Sequence, residues 1–247
     1  MTTPFNPCIL IPVYNHEGPL PKIVEQLSPY QLPCILVDDG SQESCAEIIR
    51  NLSVQYPWVQ TIRLATNSGK GAAEKTGLLL AQQQGFSHAL QIDADGQHDL
   101  HDLEKFLAAS RLTPEAVVIG LAIFDDSIPK LRYYARYLTH IWVHINTLSF
   151  RIPDSMCGYR IYPVAASTQL IQTTVLENRM AFDTEILVRL DWQGVPIVSI
   201  PTHVTYPQDG LSHFKGWEDN LRLSLTHARL FFGMLLRFPK LLARHFQ

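Results

Sequence analysis

Two acidic residues stand two positions apart directly after an apolar segment. Asp93 and Asp95 follow the residues HALQI, and Gln97 comes two positions further on. Side chains alternate along an extended chain, so both carboxylates can project from the same side. Oxygen ligands of this kind suit Mg²⁺ or Mn²⁺, which keep positions open for water and phosphates. The spacing predicts a divalent-cation site at these three residues, while a polar turn that closes a strand is the alternative.

A lysine between glycines precedes a predicted helix in NSGKGAAEKTG, residues 67–77. The free backbone amides and the dipole at a helix start favour phosphate, which makes Lys70 a candidate phosphate ligand. The segment is not a P-loop, whose pattern is GxxxxGK[ST]. It does not complete GxGxxG either, because Glu74 stands at the third glycine position. A plain helix start remains the alternative.

Two adjacent carboxylates, Asp38 and Asp39, close another apolar segment in VDDGS, residues 37–41. Ser41 could cap the helix that follows, which would make this segment an ordinary turn. Ionised carboxylates also accept hydrogen bonds from the amide or imide edge of a nucleobase. The residues alone leave both interpretations open.

Short apolar segments alternate with amphipathic ones through the first half of the chain. In the amphipathic segments apolar residues recur at three- and four-residue steps, as one face of a helix requires. This alternation predicts a doubly wound α/β sheet of mostly parallel strands, whose ligands bind beyond the carboxyl ends of the strands. The predicted strands are 8–13, 34–38, 58–64, 88–93 and 116–122, and the predicted helices are 20–27, 45–54, 72–84 and 100–110.

The pattern changes beyond residue 125, where helices are predicted at 131–148 and 184–193 and an extended segment at 195–206. Pro196, Pro201 and Pro207 place that segment at a sheet edge or in a loop, because proline cannot donate to a sheet ladder. No repeat or linker separates the halves. We therefore expect a single domain, 1–247, made of parts 8–125, 126–215 and a basic amphipathic helical tail, 216–247.

Composition excludes several classes of protein. The chain has 247 residues, 46% of them hydrophobic, and a formal net charge of −3, so we expect no nucleic-acid partner. No apolar run approaches the roughly 18 residues of a transmembrane helix, and the amino terminus lacks the features of a secretory signal. The 4 cysteines show no CxxC spacing. These features predict a reduced, cytoplasmic protein without a zinc site.

The carboxyl-terminal segment from Trp217 is strongly apolar and contains no acidic residue after Asp219. Its positive charges are five Lys and Arg residues. A basic, apolar helix can lie on the face of an anionic membrane. It can equally pack on the sheet, and the sequence does not separate the two.

Six segments together carry a family resemblance. In their order and spacing the chain resembles family-two glycosyltransferases of the GT-A fold, in particular the polyprenyl-phosphate (dolichyl-phosphate) mannose or glucose synthase branch. The resemblance covers roughly residues 8–215. The segments are IPVYN (11–15), VDDGS (37–41), NSGKGAA (67–73), DADGQH (93–98), CGYRIY (157–162) and FDTEIL (182–187).

The resemblance implies a Rossmann-like sheet and a metal-dependent, inverting transfer of a hexose. The donor would be a UDP- or GDP-sugar held by part 8–125, with Mg²⁺ or Mn²⁺ as cofactor. The acceptor would be a lipid-linked or membrane-proximal molecule or a glycan, polyprenyl phosphate being one candidate, held by part 126–215. An enzyme of this kind would work in the cytoplasm at the inner face of the membrane, and the terminal helix could supply a peripheral contact.

The resemblance also assigns roles to residues near the donor. Asp93 and Asp95 match the metal and diphosphate clamp, with Gln97 as a further ligand, and Lys70 lies near the base or diphosphate. Arg160 matches an arginine on the phosphate side. The positions that match the surroundings of the nucleoside are Pro12, Tyr14, Asn15, Glu17 and Asp39, next to Asp38, with His16 inserted before Glu17.

On the acceptor side, Asp183 matches the carboxylate that takes the proton from an attacking hydroxyl. Glu185 belongs to the same motif, and Asp154 is the reserve candidate. Ser212 and His213 lie in GLSHF, which resembles a loop that covers the diphosphate, although His213 stands where the branch carries Lys or Arg. If the acceptor is a lipid phosphate, its oxygen is already ionised, and these acids would position it rather than deprotonate it.

Two other classes of protein share part of this pattern. A sugar-nucleotide nucleotidyltransferase would share the α/β sheet and the acidic metal site, but its glycine- and arginine-rich signature is absent from residues 8–18. A scaffold that binds nucleotide without turnover has no evident use for intact Asp93, Asp95, Asp183 and Arg160.

Overall fold

The computed structural model describes residues 4–124, 128, 130–205 and 216–244, without the side chains of 130–132. The strands are β1 (Pro7–Val13), β2 (Cys34–Asp38), β3 (Val59–Arg63), β4 (His88–Gln91), β5 (Val117–Phe124), β6 (Arg160–Pro163) and β7 (Ile197–Val204). The helices are α1 (Leu20–Leu27), α2 (Glu43–Gln55), α3 (Lys70–Gln83), α4 (Leu103–Leu112), α5 (Lys130–Thr147), α6 (Val164–Thr173), α7 (Phe182–Gln193) and α8 (Gly216–Ala243).

One sheet contains these strands in the order β3-β2-β1-β4-β6-β5-β7. Strands β3, β2, β1 and β4 are parallel, β6 is antiparallel to both of its neighbours, and β7 pairs parallel with β5. Strand β1 is buried at every position, as its continuous apolar sequence predicts for a strand covered on both faces. The mostly parallel α/β sheet is confirmed, and β7 lies at the edge that its prolines predict.

The sequence did not predict β6 or α6 as separate elements. Strand β6 has only four residues, too few to show a period, and it is buried because β4 and β5 pair on its two sides. Helix α6 follows Pro163 directly and no side chain caps its start, so the usual start signal is missing.

Apolar side chains pack on both faces of the sheet. Alternate residues of β1 divide between them: Leu10 faces a core formed with α3, α6, α7 and α8, whereas Ile9 and Ile11 face α1, α2 and α4. Helix α8 joins the first core through Leu230 and Met234. Its inner face is therefore packed on the body of the protein. Within the described ranges, no helix combines the length and hydropathy that a bilayer crossing requires.

The contact between α3 and β1 gives a first prediction. Gly77 lies inside α3, where alanine normally stabilises a helix by about 1 kcal/mol. A Cβ there would overlap the buried side chain of Leu10, so we expect Gly77→Ala to destabilise the protein. Urea unfolding measures the change. Leu10→Ala alone should also destabilise, but the double variant should lose clearly less than the sum, and strict additivity would contradict the predicted overlap.

Candidate active site

Four of the predicted site residues lie at the ends of three elements. Lys70 begins α3, Asp183 is the second residue of α7, and Asp93 and Asp95 follow β4. The carboxyl ends of the parallel strands share one edge of the sheet, which brings these segments together. Residues more than a hundred positions apart in the chain thus meet at the end of the sheet.

Lys70 joins three carboxyl groups at this edge. Its Nζ lies 2.7 Å from Asp93 Oδ1, 2.7 Å from Asp183 Oδ2 and 3.6 Å from Glu74 Oε1. Burial alone would lower the pKa of Lys70, but the charges of Asp183 and Asp93 outweigh burial and raise that pKa well above its ordinary value. Lys70 is therefore a largely buried cation held between two acids.

Asp93 and Asp95, the two acids that follow β4, differ in electrostatic environment. Burial would raise the pKa of Asp93, but Lys70 and His98 more than offset burial and hold that pKa well below its usual range. For Asp95, burial and the neighbouring charge of Asp93 raise the pKa. Asp95 is thus a partly buried carboxyl whose charge is incompletely compensated. Gly158 lies so close to the Asp93 carboxylate that a Cβ there would overlap it.

Asp93, Asp95 and Gln97 line one cavity of about 50 Å³, together with His98 and Arg136. Asp95 also borders a wider groove of about 300 Å³ beside α1. Among the residues that the structure describes, no three His, Cys, Asp or Glu side chains converge as an all-protein metal cage would need. The oxygen ligands and the undercompensated Asp95 fit a Mg²⁺ or Mn²⁺ ion that takes its remaining ligands from phosphate and water.

The acids of VDDGS hold loops in place. Asp38 accepts a hydrogen bond from the Ser41 amide at 2.8 Å and pairs with Arg63 at 2.9 Å. Asp39 accepts from the amides of Ser68 at 2.7 Å and Gly69 at 2.8 Å. Burial raises the pKa of Asp39 despite these two bonds. The structure thus gives Asp39 a clear role as the anchor of the loop that leads to Lys70.

The loop after β1 is tied to the same turn. Asn15 has a positive φ of 52°, its amide donates to Ser41 Oγ at 3.0 Å, and its Oδ1 accepts from the Gln42 amide at 2.7 Å. Pro12 is buried at the end of β1, and Tyr14 and Glu17 are half-buried beyond it. One buried oxygen of Glu17 has no hydrogen-bond partner among the described residues. These residues border the edge of the sheet that carries Asp93 and Asp95. They are not part of the group formed by Lys70, Asp93, Asp183 and Glu74.

The resemblance implies a phosphate contact for Arg160, but the side chain does not face the cavity. Its side chain is fully buried because β6 lies between two strands. The guanidinium donates to the carbonyls of Cys157 at 2.7 Å, Ser155 at 2.8 Å and Asp183 at 2.7 Å, and to the Tyr162 hydroxyl at 2.9 Å. In this structure Arg160 supports the start of α7 and the Asp183 backbone instead of facing the cavity.

Asp154, the reserve base, is buried and fully engaged. Its oxygens accept from Arg136 at 2.6 and 2.7 Å and from the amides of Ala122, Met156 and Cys157. Burial opposes ionisation of Asp154, but His140 and Arg136 prevail and hold its pKa well below the usual range. Asp154 thus fixes Arg136 at the wall of the cavity.

Glu185 is not brought to the cavity. Residues two apart on a helix point about 200° away from each other, so Asp183 and Glu185 cannot face the same way. Glu185 is fully buried, accepts from the Glu177 amide at 2.8 Å and pairs with Arg189 at 2.8 Å. Ser212 and His213 lie outside the described residues.

Sequence reasoning missed Glu74 and Arg136 as parts of this site. Glu74 is fully buried, and neither of its oxygens has a hydrogen-bond partner among the described residues. Its spacing of four from Lys70 on α3 was a usable signal, since such pairs are neighbours on a helix. No local signal marks Arg136, because its partner Asp154 lies 18 positions away.

Comparison with known proteins gives the family of this chain. The model of the family described as Glycosyl transferase family 2 matches residues 8–177. Dolichyl-phosphate beta-glucosyltransferase from Dictyostelium discoideum is 24% identical over 94% of this chain and 76% of that protein. Polyprenol monophosphomannose synthase from Mycolicibacterium smegmatis is 25% identical over 84% of this chain and 80% of that protein. Five further dolichyl-phosphate beta-glucosyltransferases are matched over only 59 to 66% of their length.

A solved structure shares the fold. Glucosyl-3-phosphoglycerate synthase from Mycobacterium tuberculosis, in complex with Mn²⁺, UDP-glucose and phosphoglyceric acid, superposes with a TM-score of 0.61 at 14% identity. The superposition covers 94% of this chain and 79% of the other. This likeness confirms the predicted GT-A fold.

The buried Glu74 carboxyl predicts a pH-dependent stability. Burial and the neighbouring Asp183 raise its pKa well above the ordinary 4.5. A group protonated when folded and ionised when unfolded lowers the free energy of unfolding as the pH rises above the unfolded pKa, by at most about 1.4 kcal/mol per pH unit. Glu74→Gln removes this contribution, so its stability should fall less steeply between pH 5 and 8.

Urea unfolding at four pH values measures both slopes. Glu47→Gln, on the exposed side of α2, is the matched control and should behave as wild type. A Glu74→Gln slope identical to that of wild type would mean that Glu74 is ionised in the folded protein.

Proposed function

This chain belongs to glycosyl transferase family 2 and is a glycosyltransferase, and we propose that it moves a hexose from a UDP- or GDP-sugar to a polyprenyl-type lipid phosphate with inversion at the sugar. The donor diphosphate would bind at the cavity of Asp93 and Asp95. The lipid phosphate would approach from the side of Arg136. This family membership does not support the nucleotidyltransferase or the scaffold alternative.

The donor part of the proposal is supported by the electrostatic environment of Asp93 and Asp95 after β4. Asp95 is a partly buried carboxyl whose pKa is raised beside Asp93, and a divalent cation would supply the countercharge that it lacks. Asp95, Asp93 and the amide oxygen of Gln97 are the residues that would hold Mg²⁺ or Mn²⁺. When bound, the ion neutralises charge that develops on the nucleoside diphosphate as it leaves. The Mycobacterium synthase of the same fold was solved with Mn²⁺ and UDP-glucose.

The observation that carries the acceptor part is that all three candidate bases are already engaged. Asp183 lies against Lys70 and Arg160, Asp154 accepts from Arg136 and three amides, and Glu185 is paired with Arg189. Carboxylates held by cations and amides are poorly placed to take a proton from a neutral hydroxyl. A phosphate monoester is already ionised and needs no base. The relatives named for dolichyl-phosphate and polyprenol monophosphate fit this choice.

The chemical step then balances without proton transfer to the protein. An oxygen of the lipid phosphate forms a bond to the anomeric carbon, the bond from that carbon to the diphosphate oxygen breaks, and the diphosphate leaves with the electron pair. Lys70 holds Asp93 and Asp183 in place, so that the two carboxylates do not turn into the path of the donor. Arg136, fixed by Asp154, is the cation at the cavity wall that could orient the acceptor phosphate.

Donor binding is tested by thermal unfolding with UDP- and GDP-sugars, with and without Mn²⁺. A ligand at one hundred times its dissociation constant should stabilise the native state by about 2.7 kcal/mol. Asp95→Asn should lose the metal-dependent stabilisation, whereas Asp183→Asn should keep it and only slow transfer, because it loosens Lys70 beside Asp93 but removes no base. The opposite pattern would show that the two roles are misassigned, and no stabilisation by any nucleotide would reject the donor site.

Acceptor choice is tested by offering polyprenyl phosphate and the polyprenol of equal chain length to the same enzyme and donor. The two acceptors differ only in the phosphate, so the polyprenol is the matched control. We expect sugar transfer to the phosphate and none detectable to the alcohol. Chromatography of the radiolabelled lipid product measures the transfer. Comparable rates with both acceptors would require a base and would refute the phosphate assignment.

A further inference from the structure

Arg179 reaches from the second half of the chain onto the loop that precedes α3. It lies between α6 and α7, in the segment 174–181, and its Nη1 donates to Asn67 Oδ1 at 3.0 Å. A Cβ added to Gly69 would overlap Arg179 Cγ, so the stem of the arginine lies directly against this loop. Arg179 belongs to none of the six segments that carry the family resemblance.

The loop beneath Arg179 is anchored to Asp39. The two carboxylate oxygens of Asp39 accept from the amides of Ser68 at 2.7 Å and Gly69 at 2.8 Å. Residues 67–69 thus connect the carboxylate to the guanidinium. Burial raises the pKa of Asp39, and the positive charge of Arg179 opposes that rise. The two side chains are therefore electrostatic neighbours just beyond β2.

The backbone that carries Arg179 is fixed to α3. The carbonyl of Asn178 accepts from the Ala72 amide at 2.9 Å. Lys75 Nζ donates to the Leu176 carbonyl at 3.1 Å and also to Asn178 Oδ1. These bonds hold the half-buried Arg179 in place. A side chain positioned in this way loses little conformational entropy when it binds a ligand.

Two other cations near this edge are engaged with acids. The resemblance places Lys70 near the base or diphosphate, but two carboxylates hold its ammonium group at 2.7 Å each. Arg63 pairs with Asp38 at 2.9 Å. Arg179 instead donates to a neutral side-chain amide, in a bond that uses one of the five N–H groups of a guanidinium. Its charge and its further donors make it the cation best suited to meet a ligand at this position.

A guanidinium next to a carboxylate offers a hydrogen-bond donor beside an acceptor. Uracil and guanine present the complementary pair: a keto oxygen, O4 or O6, that accepts, and the adjacent ring N–H that donates. Cytosine and adenine carry a donating amino group and an accepting ring nitrogen there, which reverses the pattern. Each oxygen of an ionised carboxylate has a second lone pair, so Asp39 can accept from a base while it keeps its two amide bonds.

We propose that Arg179 determines which nucleobases the donor site accepts. Its guanidinium donates to the keto oxygen while Asp39 accepts from the neighbouring ring N–H, and the pair thereby selects uracil or guanine over cytosine or adenine. A base of the second kind would set donor against donor and acceptor against acceptor and leave the groups of the site unpaired. The inference rests on the proposed function, because that function places a donor nucleotide at this edge.

The test is isothermal titration calorimetry of the full chain with nucleoside diphosphates in the presence of Mn²⁺. UDP with CDP, and inosine diphosphate with ADP, are matched pairs, because only the keto and ring N–H edge differs within each pair. Wild type should bind the keto member of at least one pair about tenfold or more tightly than its amino partner. Equal affinities within both pairs would contradict the proposal.

Arg179→Met keeps the stem of the side chain on Gly69 but removes the donors. In the pair that wild type discriminates, the ratio of the two affinities should fall about tenfold. Loss of a general attraction to the diphosphate would weaken both members equally, so an unchanged ratio overturns the proposal. Arg50→Met, at an exposed arginine on α2, is the charge-matched control and should keep the wild-type ratio.

A second variant keeps the test decisive if Arg179→Met does not fold. Asn67→Ala leaves the arginine in place but removes the acceptor that orients it, so the same ratio should fall. Circular dichroism checks that the variant is folded. A wild-type ratio in folded Asn67→Ala would then refute the role of Arg179.

Sugar-transfer assays separate this inference from the proposed function. Wild type that transfers sugar to the lipid phosphate, yet binds both members of each pair equally, would overturn the inference and leave the proposed function standing. A ratio that depends on Arg179 without any transfer would do the reverse. No binding of any of the four nucleotides would overturn both.

Discussion

The buried ion pairs of Lys70 with Asp93 and Asp183 are the interaction on which the arrangement of this site depends. They connect the start of α3, the loop after β4 and the start of α7, so the two halves of the chain meet at one ammonium group. Removing one member of a buried pair leaves an uncompensated charge and typically costs about 3 to 5 kcal/mol. With Arg160 there are two cations beside three carboxyl groups, and burial together with the neighbouring Asp183 raises the pKa of Glu74 well above its ordinary value.

Close packing around Lys70 explains the glycines that surround it. Gly69 has a φ of +106°, and a Cβ there would overlap the Asn178 carbonyl, while a Cβ at Gly71 would overlap Phe182. Asp39 holds the same loop from the other side through two backbone amides. The sequence suggested phosphate binding for this glycine-rich segment. The contacts show that the glycines are needed first to let α3 start against the residues before α7.

The sequence predicted the frame of the site better than the orientation of its side chains. Apolar runs located the first five strands within a few residues, and the rule that ligands lie beyond strand ends brought Lys70, Asp93 and Asp95 to one edge. The burial of Arg160 could not be read locally, because it follows from β6 inserting between β4 and β5. Family resemblance marked Asp183 and Glu185 together, but helix geometry sends them in different directions. The burial of Arg160 depends on contacts between distant residues, which neither periodicity nor a motif encodes, whereas the divergence of Asp183 and Glu185 follows once the helix is known to include both.

Helix α5 links the chemistry of the site to its surroundings. Successive residues turn by about 100°, so a helix can present Arg136 inward and Ile141 outward without conflict. Substitutions on the outer side can therefore leave the Arg136 pair with Asp154 intact. A shift of the whole helix, however, would move Arg136 relative to Asp93 and Asp95. The packing of the inner side of α5 therefore bears directly on where the cation at the cavity wall stands.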